Sequence, residues 1–210
     1  MTTATTDKVR IALAQAEAFA EAAREILAPF CDRLEVGGSI RRRKADIGDV
    51  ELVAIPKTAP AQVDLFGTIT SERDLLHERC EELLRAGVFA HRPDKNGHPA
   101  FGHKFKRLLF THDGDTFPLD LFAVPPAEWG VAFTIRTGSS GFTHRLVMSR
   151  LYGGMMPAGM REHGNAIWDG GRLVPTPEEA DVFAALCLAW LPPELRTDDA
   201  VPARLGGLSR

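Results

Sequence analysis

The stretch GGSIRRRKADIGDVELVAI at residues 37–55 combines a small-residue turn, a basic cluster and a strand that carries acids. The Gly-Gly-Ser turn at 37–39 lets backbone N–H groups approach an anion. The run VELVAI at 50–55 is apolar beyond its Glu, which predicts an interior strand of a sheet. Because side chains alternate along a strand, Asp49 and Glu51 share one face, with Cα atoms roughly 6.5 Å apart. Two such carboxylates beside a phosphate-binding turn can hold Mg²⁺, which prefers oxygen ligands.

The stretch FPLDLFAVPP at residues 117–126 supplies a third acid. Asp120 is the lone carboxylate of an otherwise apolar strand. Burying an unpaired charge is expensive, and a metal ion shared with the acid pair of the first stretch would provide the partner. Two alternatives stay open at this point. The acid pair could bond to the arginines at 41–43 without a metal, and Asp120 could be a surface residue at a strand edge.

Length and composition narrow the class of protein. The chain has 210 residues, enough for one medium domain or two small ones, and its 44% hydrophobic and 25% charged content excludes wholesale disorder. No apolar run approaches the roughly 20 residues of a membrane-spanning helix, and residues 1–10 carry no signal core. We therefore expect a soluble, cytoplasmic protein with no membrane partner. The three cysteines form no CxxC pair, which argues against a disulfide framework or a zinc ribbon.

The charge is unevenly distributed. A net charge of −3 argues against general affinity for nucleic acid, but the acids concentrate in 176–199. Basic residues cluster at 41–44 and at 103–107. A nucleic-acid partner would therefore have to be bound by local patches.

Apolar spacing and turn signals predict the remaining elements. Asp113-Gly114 between two β-prone runs is a strong hairpin signal, and Pro125-Pro126 marks a boundary. The predicted elements are a helix over 7–29, a strand over 33–38, a loop over 57–70, a helix from a Ser71 cap to Arg85, a hairpin over 101–124, a small hairpin over 167–174 and a helix from a Thr176 cap to Leu188.

The motifs, taken in order, resemble those of the family X (polymerase beta-like) DNA polymerases of the nucleotidyltransferase superfamily. The resemblance covers about residues 31 to 196. It rests on Gly38-Ser39-Ile40-Arg41-Arg42, on Asp49-Val50-Glu51, on Asp120 between two leucines, on Thr137-Gly138-Ser139, and on the ending Thr176-Pro-Glu-Glu with Trp190-Leu-Pro-Pro-Glu-Leu-Arg196. The ordered combination is far more specific than any one of these motifs.

The resemblance implies a fold, a domain division and an activity. We expect an α+β protein with a helical segment over 1–30, a nucleotidyltransferase palm over 31–126 with a mixed β-sheet and helices on one face, and a small α+β, thumb-like subdomain over 127–210. The implied form is a minimal polymerase without a lyase domain. It would add a nucleotide from a dNTP to the 3′-hydroxyl of primer-template or gapped DNA, in gap filling or repair, as a monomer.

The resemblance also assigns roles to individual residues. Two Mg²⁺ ions, for which Mn²⁺ could substitute, would be bound by three catalytic carboxylates, and two further groups of residues would bind the substrates. The carboxylates are Asp49, Glu51 and Asp120; the nucleotide-binding residues are Gly38, Ser39, Arg42, Arg136, Thr137, Gly138 and Ser139; the residues proposed to contact nucleic acid are Lys104, Lys106, His144 and Arg145. A cis peptide between Gly138 and Ser139 is also expected by analogy.

Three positions depart from the family pattern. Glu51 stands in place of the second Asp, Ile135-Arg136 in place of a Tyr-Phe pair beside the sugar, and Thr143 in place of an Asn at the base edge. Two other functions therefore stay open. One is nucleotidyl transfer to an RNA end, a small molecule or a protein, and the other is a non-catalytic module that binds nucleotide or nucleic acid.

Overall fold

The computed structural model describes residues 9–63, 65–66 and 68–205. Strands and helices alternate irregularly along this part of the chain. The strands are β1 Ile11–Ala12, β2 Cys31–Val36, β3 Asp46–Ile47, β4 Val50–Pro56, β5 Thr58–Val63, β6 Ile69–Asp74, β7 Phe89–His91, β8 Phe105–His112, β9 Asp115–Ala123, β10 Met160–Glu162, β11 Ile167–Asp169 and β12 Arg172–Val174. The α-helices are α1 Leu13–Leu27, α2 Gly38–Arg41, α3 Leu75–Arg85, α4 Trp129–Thr137, α5 Ser140–Val147 and α6 Glu179–Ala185.

A five-stranded mixed sheet, in the order β2-β4-β9-β8-β7, is the centre of the fold. The β4–β9 pair is parallel and the other pairs are antiparallel. Apolar side chains of α1 and α3 pack on one face of this sheet, where Leu52, Ala54 and Leu121 are buried. The arrangement confirms the predicted α+β class with a mixed sheet. On the opposite face, α4 covers Val53 through Trp129.

A second hydrophobic core lies beyond the central sheet. It joins α4, α5 and α6 to the small sheet β10-β11-β12. Phe142, Phe183 and Ile167 are buried there. This core supports the helices that face the carboxylates of the central sheet.

The hairpin predicted over 101–124 is present as β8 and β9. Asp113 and Gly114 both have positive φ, 51° and 86°, as the two central residues of a type I′ turn require. The small hairpin predicted over 167–174 is also present, as β11 and β12, and β10 adds a third strand that was not predicted.

Two predictions about the chain before Arg85 are wrong. Residues 57–70 are not a loop, because most of them belong to an antiparallel hairpin of β5 and β6. Ser71 lies within β6, and the helix cap is Asp74, whose Oδ1 accepts a hydrogen bond of 2.9 Å from the backbone N–H of His77. The Ser-to-Asp spacing resembled a capping box, but the acid itself caps the helix.

The remaining differences concern the bounds of elements. The strand predicted over 33–38 is β2, Cys31–Val36, and the first and last helices end at Leu27 and Ala185, not at residues 29 and 188. The first helix begins at Leu13 and not at residue 7, since Ile11 and Ala12 pair with β3; residues 7 and 8 lie outside the described residues. The last helix begins at Glu179, and Glu178 caps it in a capping box with Asp181. Thr176 is therefore not the cap. Within the described residues, no helix is long and apolar enough to span a membrane.

Candidate active site

Glu51 and Asp120 lie side by side on adjacent strands. The parallel register of β4 and β9 pairs these two residues. Leu52 and Leu121, their neighbours along each strand, are buried under α1 and α3, so the two acids face the opposite side of the sheet. Asp49 precedes β4 by one residue. Backbone pairing thus brings Glu51 and Asp120 to one face, and Asp49 lines a cavity together with Glu51.

The glycine turn packs directly against Glu51. The N–H of Gly37 donates a hydrogen bond of 2.8 Å to the backbone carbonyl of Glu51. Gly38 has a φ of 62°, and a Cβ atom there would overlap Glu51 Oε2. Glycine is needed at 38 for its left-handed backbone and for this close approach. The turn fixes Ser39 and Arg42 beside the acids.

The electrostatics of the acids favour a bound cation. The pKa of Glu51 is raised to about 7, chiefly by burial and then by the nearby Asp49 and Asp120, against the opposing effect of Arg136 and Arg42. Burial also raises the pKa of Asp120. Three oxygen donors that repel one another suit Mg²⁺. Among the described residues they do not converge as a ready-made set, since their oxygens do not all lie within 4.8 Å of one another.

Two arginines that the sequence analysis missed bind Asp120. Arg92 Nη2 lies 2.5 Å from Asp120 Oδ1, and Arg107 Nε lies 3.7 Å from the same oxygen. Arg107 faces Asp120 in the register of β8 and β9, so the predicted hairpin could have revealed this pair. No comparable signal marks Arg92, which follows β7 and reaches the site through the tertiary fold.

A cavity of 690 Å³ opens in front of the glycine turn. Polar and charged side chains line it, among them Ser39, Arg42, Lys44 and Ser140, together with the acids Asp49 and Glu51. Arg42 Nη1 donates hydrogen bonds of 2.6 and 3.1 Å to the carbonyls of Thr137 and Gly138. Its buried Nε has no hydrogen-bond partner in the described part of the chain. The cavity therefore offers hydroxyl and guanidinium groups suited to an anion.

Arg136 closes the same region from the helical side. Its guanidinium lies over the ring of Phe122, 3.9 Å from the centroid. Burial lowers its pKa, while Glu51 and Asp120 counteract that effect. Arg136 shares a second cavity, of 440 Å³, with both acids and with Lys104. The cleft therefore has acids on the sheet and cations on either side of them.

The Thr137-Gly138-Ser139 segment connects α4 to α5. The hydroxyl of Thr137 is buried and accepts a hydrogen bond of 2.7 Å from Arg41. Ser139 caps α5, where its Oγ accepts a hydrogen bond from the N–H of Phe142. The peptide bond between Gly138 and Ser139 is trans, so the prediction of a cis bond is wrong. A trans bond is the lower-energy form for a non-proline residue.

The four residues predicted to contact nucleic acid have different environments. Lys104 and His144 are exposed. Lys106 is fully buried and donates to the carbonyls of Gly102 and His103, so its predicted contact with phosphate is wrong. Because β8 begins at Phe105, the two lysines do not share a strand face. Arg145 is half-buried, and its guanidinium bonds to the carbonyls of residues 198 and 200.

A buried ion-pair network joins the glycine turn to the C-terminal core. Arg41 Nη2 and Arg196 Nη1 each lie 2.6 Å from a carboxylate oxygen of Glu179. Burial opposes the ionisation of Glu179, but the bonds from Arg41 and Arg196 hold its pKa below the usual range. Arg41 matched the family motif, yet its partner lies 138 positions further along the chain. Sequence spacing gave no signal for this network.

Comparison with known families adds one finding. Residues 132–197 match the family model described as DNA polymerase beta thumb. The match supports a relationship to the polymerase beta-like family X proteins, and with it a DNA-polymerase-like or nucleic-acid-binding role. A search of curated proteins finds no significant match. The matched segment includes α5, α6 and most of α4, and residues of α4 and α5 line the cavities that contain the acids.

Proposed function

We propose that the chain is a DNA polymerase of the family X type. It would transfer a nucleotidyl group from a dNTP to the 3′-hydroxyl of a primer, with gapped DNA as the substrate. The observation that carries this proposal is the parallel pairing of Glu51 with Asp120, directly in front of the turn at Gly38. The thumb match over 132–197 supplies independent support.

The acids would bind two Mg²⁺ ions. Asp49, Glu51 and Asp120 supply oxygen donors, and the pKa of Glu51 is raised first by burial and then by the negative charges of Asp49 and Asp120. When bound, the ions would neutralise triphosphate charge and lower the pKa of the attacking hydroxyl. The fit of these residues to Mg²⁺ rests on their oxygen donors and on the proximity of their negative charges.

The other residues of the cleft would position the substrates. Ser39 and Arg42 would bind the triphosphate in the 690 Å³ cavity, and Arg136 would face the nucleotide from the helical side. The 3′-oxygen would form a bond to the α-phosphorus while the bond from that phosphorus to the bridging oxygen breaks and pyrophosphate leaves. The hydroxyl proton would pass to solvent. Positioning and charge stabilisation would therefore supply most of the rate enhancement.

Primer extension tests the proposal. The purified protein would be incubated with Mg²⁺ or Mn²⁺, labelled dNTPs and a one-nucleotide-gapped duplex. We expect template-matched incorporation that falls at least about 100-fold in Asp49→Asn and in Asp120→Asn, because each substitution removes a charged metal ligand. Asp115→Asn is the matched control, since Asp115 is exposed at the start of the same strand as Asp120. Equal incorporation by all four proteins would contradict the assignment.

The burial of Lys106 supports a second candidate, which is transfer to a non-DNA acceptor. A buried Lys106 does not contact DNA, although it is one of the cations that we expected to bind DNA. Single-stranded DNA, RNA ends and a hydroxyl-bearing protein fraction would be offered in place of the gapped duplex. Incorporation that requires Asp49 and Asp120 but no DNA would favour this candidate. A folded protein that binds dNTP with metal and transfers nothing would favour the non-catalytic module.

A further inference from the structure

Three potential metal ligands converge away from the carboxylate cleft. Asp74 ends β6 and caps α3, His77 lies in the first turn of α3, and His103 lies just before β8. One ligand atom from each lies within 4.8 Å of the other two. Within the described part of the chain, no other group of three such side chains meets this condition. The cluster therefore brings together the start of α3 and the segment before β8.

The local hydrogen bonds orient these side chains toward one another. Asp74 Oδ1 accepts from the backbone N–H of His77, which fixes the carboxylate and leaves Oδ2 for His103 Nδ1, at 3.0 Å. The two imidazole rings stack with centroids 4.1 Å apart. His77 Nδ1 is buried and has no hydrogen-bond partner among the described residues. A buried imidazole nitrogen without a partner calls for an explanation, and a metal ion would provide one.

We propose that Asp74, His77 and His103 form a binding site for Zn²⁺. Two imidazoles and one carboxylate suit a borderline-soft dication, whereas Mg²⁺ favours oxygen ligands. Three protein ligands leave a fourth tetrahedral position for water. His103 is 71% exposed in its side chain and can adjust its ring to share an ion with His77. The proposal does not rest on polymerase activity.

The site would anchor the loop that leads to the cleft. Lys104 follows His103 directly and lines the cavity that contains Glu51 and Asp120. On the inner side of this loop, the buried Lys106 already binds the carbonyls of Gly102 and His103. Its positive charge opposes a nearby cation, and its two hydrogen bonds to these carbonyls hold its amine in the loop. An ion on the outer side would complete the attachment of the loop to the start of α3.

Zinc titration of the metal-stripped full chain tests this site. Millimolar Mg²⁺ would be present to compete for the carboxylate cleft, and a chromophoric chelator would report free Zn²⁺. We expect one equivalent to bind the natural protein, and the affinity to fall on the order of 100-fold in His103→Ala, since loss of a metal ligand costs at least as much as loss of its outer-shell partners. Thermal unfolding without metal would show that His103→Ala is folded.

Two control variants test whether Zn²⁺ binds at the proposed site and not elsewhere. His98→Ala is the matched control, because His98 is also exposed and lies 4.0 Å from an acid, Asp94, but has no third ligand within residues 9–63, 65–66 and 68–205. It should bind Zn²⁺ as the natural protein does, and so should Asp49→Asn. Zinc affinity that is equal in the natural protein and His103→Ala would overturn the proposal. So would the absence of stoichiometric binding, or binding that is lost in Asp49→Asn.

Discussion

The two walls of the cleft hold their functional groups by different means. In the sheet wall (Asp49, Glu51 and Asp120), strand alternation and the register of β4 with β9 place Glu51 and Asp120, and Asp49 directly precedes β4. The helical wall (residues 136–139) is placed by side-chain bonds, among them those of Arg42 to two backbone carbonyls. The hydrogen bonds between paired strands join backbone groups. They therefore remain when one side chain is replaced. A wall held by buried ion pairs does not have that tolerance.

The largest expected effect is on the support of the helical wall. Glu179→Gln removes the charge between Arg41 and the fully buried Arg196, and leaves their guanidinium groups without a counter-ion. We expect the free energy of unfolding to fall by about 3–5 kcal/mol, the usual result of breaking a buried ion pair from one side. Urea denaturation monitored by circular dichroism measures this change in the free energy of unfolding.

The control for this prediction is an exposed ion pair. Glu21→Gln removes the partner of Arg24 on the surface of α1, where the glutamate side chain is 61% exposed. We expect a loss of about 0–1 kcal/mol. If Glu21→Gln and Glu179→Gln destabilise the protein equally, the network does not support the helical wall.

The next effect concerns the sheet wall and its dependence on pH. The pKa of Glu51 is raised from 4.5 to about 7, chiefly by burial and then by Asp49 and Asp120. Between these two pH values the unfolded chain loses the Glu51 proton while the folded chain keeps it. The contribution of Glu51 to stability is therefore fully present below about pH 4.5 and is lost as the pH rises through about 7.

Glu51→Gln should remove this pH dependence. In the absence of divalent cations, we expect the natural protein to lose up to about 3 kcal/mol more than the variant between pH 4.5 and 8, at about 1.4 kcal/mol per pKa unit. Urea denaturation of both proteins at a series of pH values measures the difference. Parallel pH profiles for the two proteins would show that Glu51 titrates normally.

The smallest of these effects concerns the contact between the glycine turn and the sheet wall. Gly38→Ala places a Cβ on a left-handed residue and against the Glu51 carboxylate. We expect a loss of about 1–3 kcal/mol, the range for strained backbone positions. Gly48→Ala is the control, since a Cβ there meets no atom within 4 Å. Comparable losses in the two variants, measured by thermal unfolding, would show that the turn does not depend on this close approach.

The sequence was most informative where backbone periodicity decides the structure. Alternation along VELVAI placed Glu51 on the face opposite Leu52, and the Asp-Gly turn predicted the β8–β9 hairpin, which places Arg107 opposite Asp120. Both inferences depend on neighbouring residues only. The α+β class and the mixed sheet were expected from the resemblance to family X polymerases, and the structure confirms them.

The sequence was least informative where a side chain binds a distant partner. Glu179 looked like an ordinary residue of a helix N-terminus, although it neutralises two arginines. Partners of this kind are set by tertiary packing, which residue spacing along the chain does not encode.

The strand β9 pairs with β8, which is adjacent in sequence, and with β4, which is distant in sequence. This difference has a consequence for the folding pathway. Its pairing with β8 is local and closes through a tight turn, whereas its pairing with β4 must close the long segment between Glu51 and Asp120. Closing a long loop costs more entropy and slows the step that requires it. We therefore expect Asp120 to meet Arg107 early in folding and Glu51 late. Repulsion between the two carboxylates would then slow only the late step, and its size would depend on their charge.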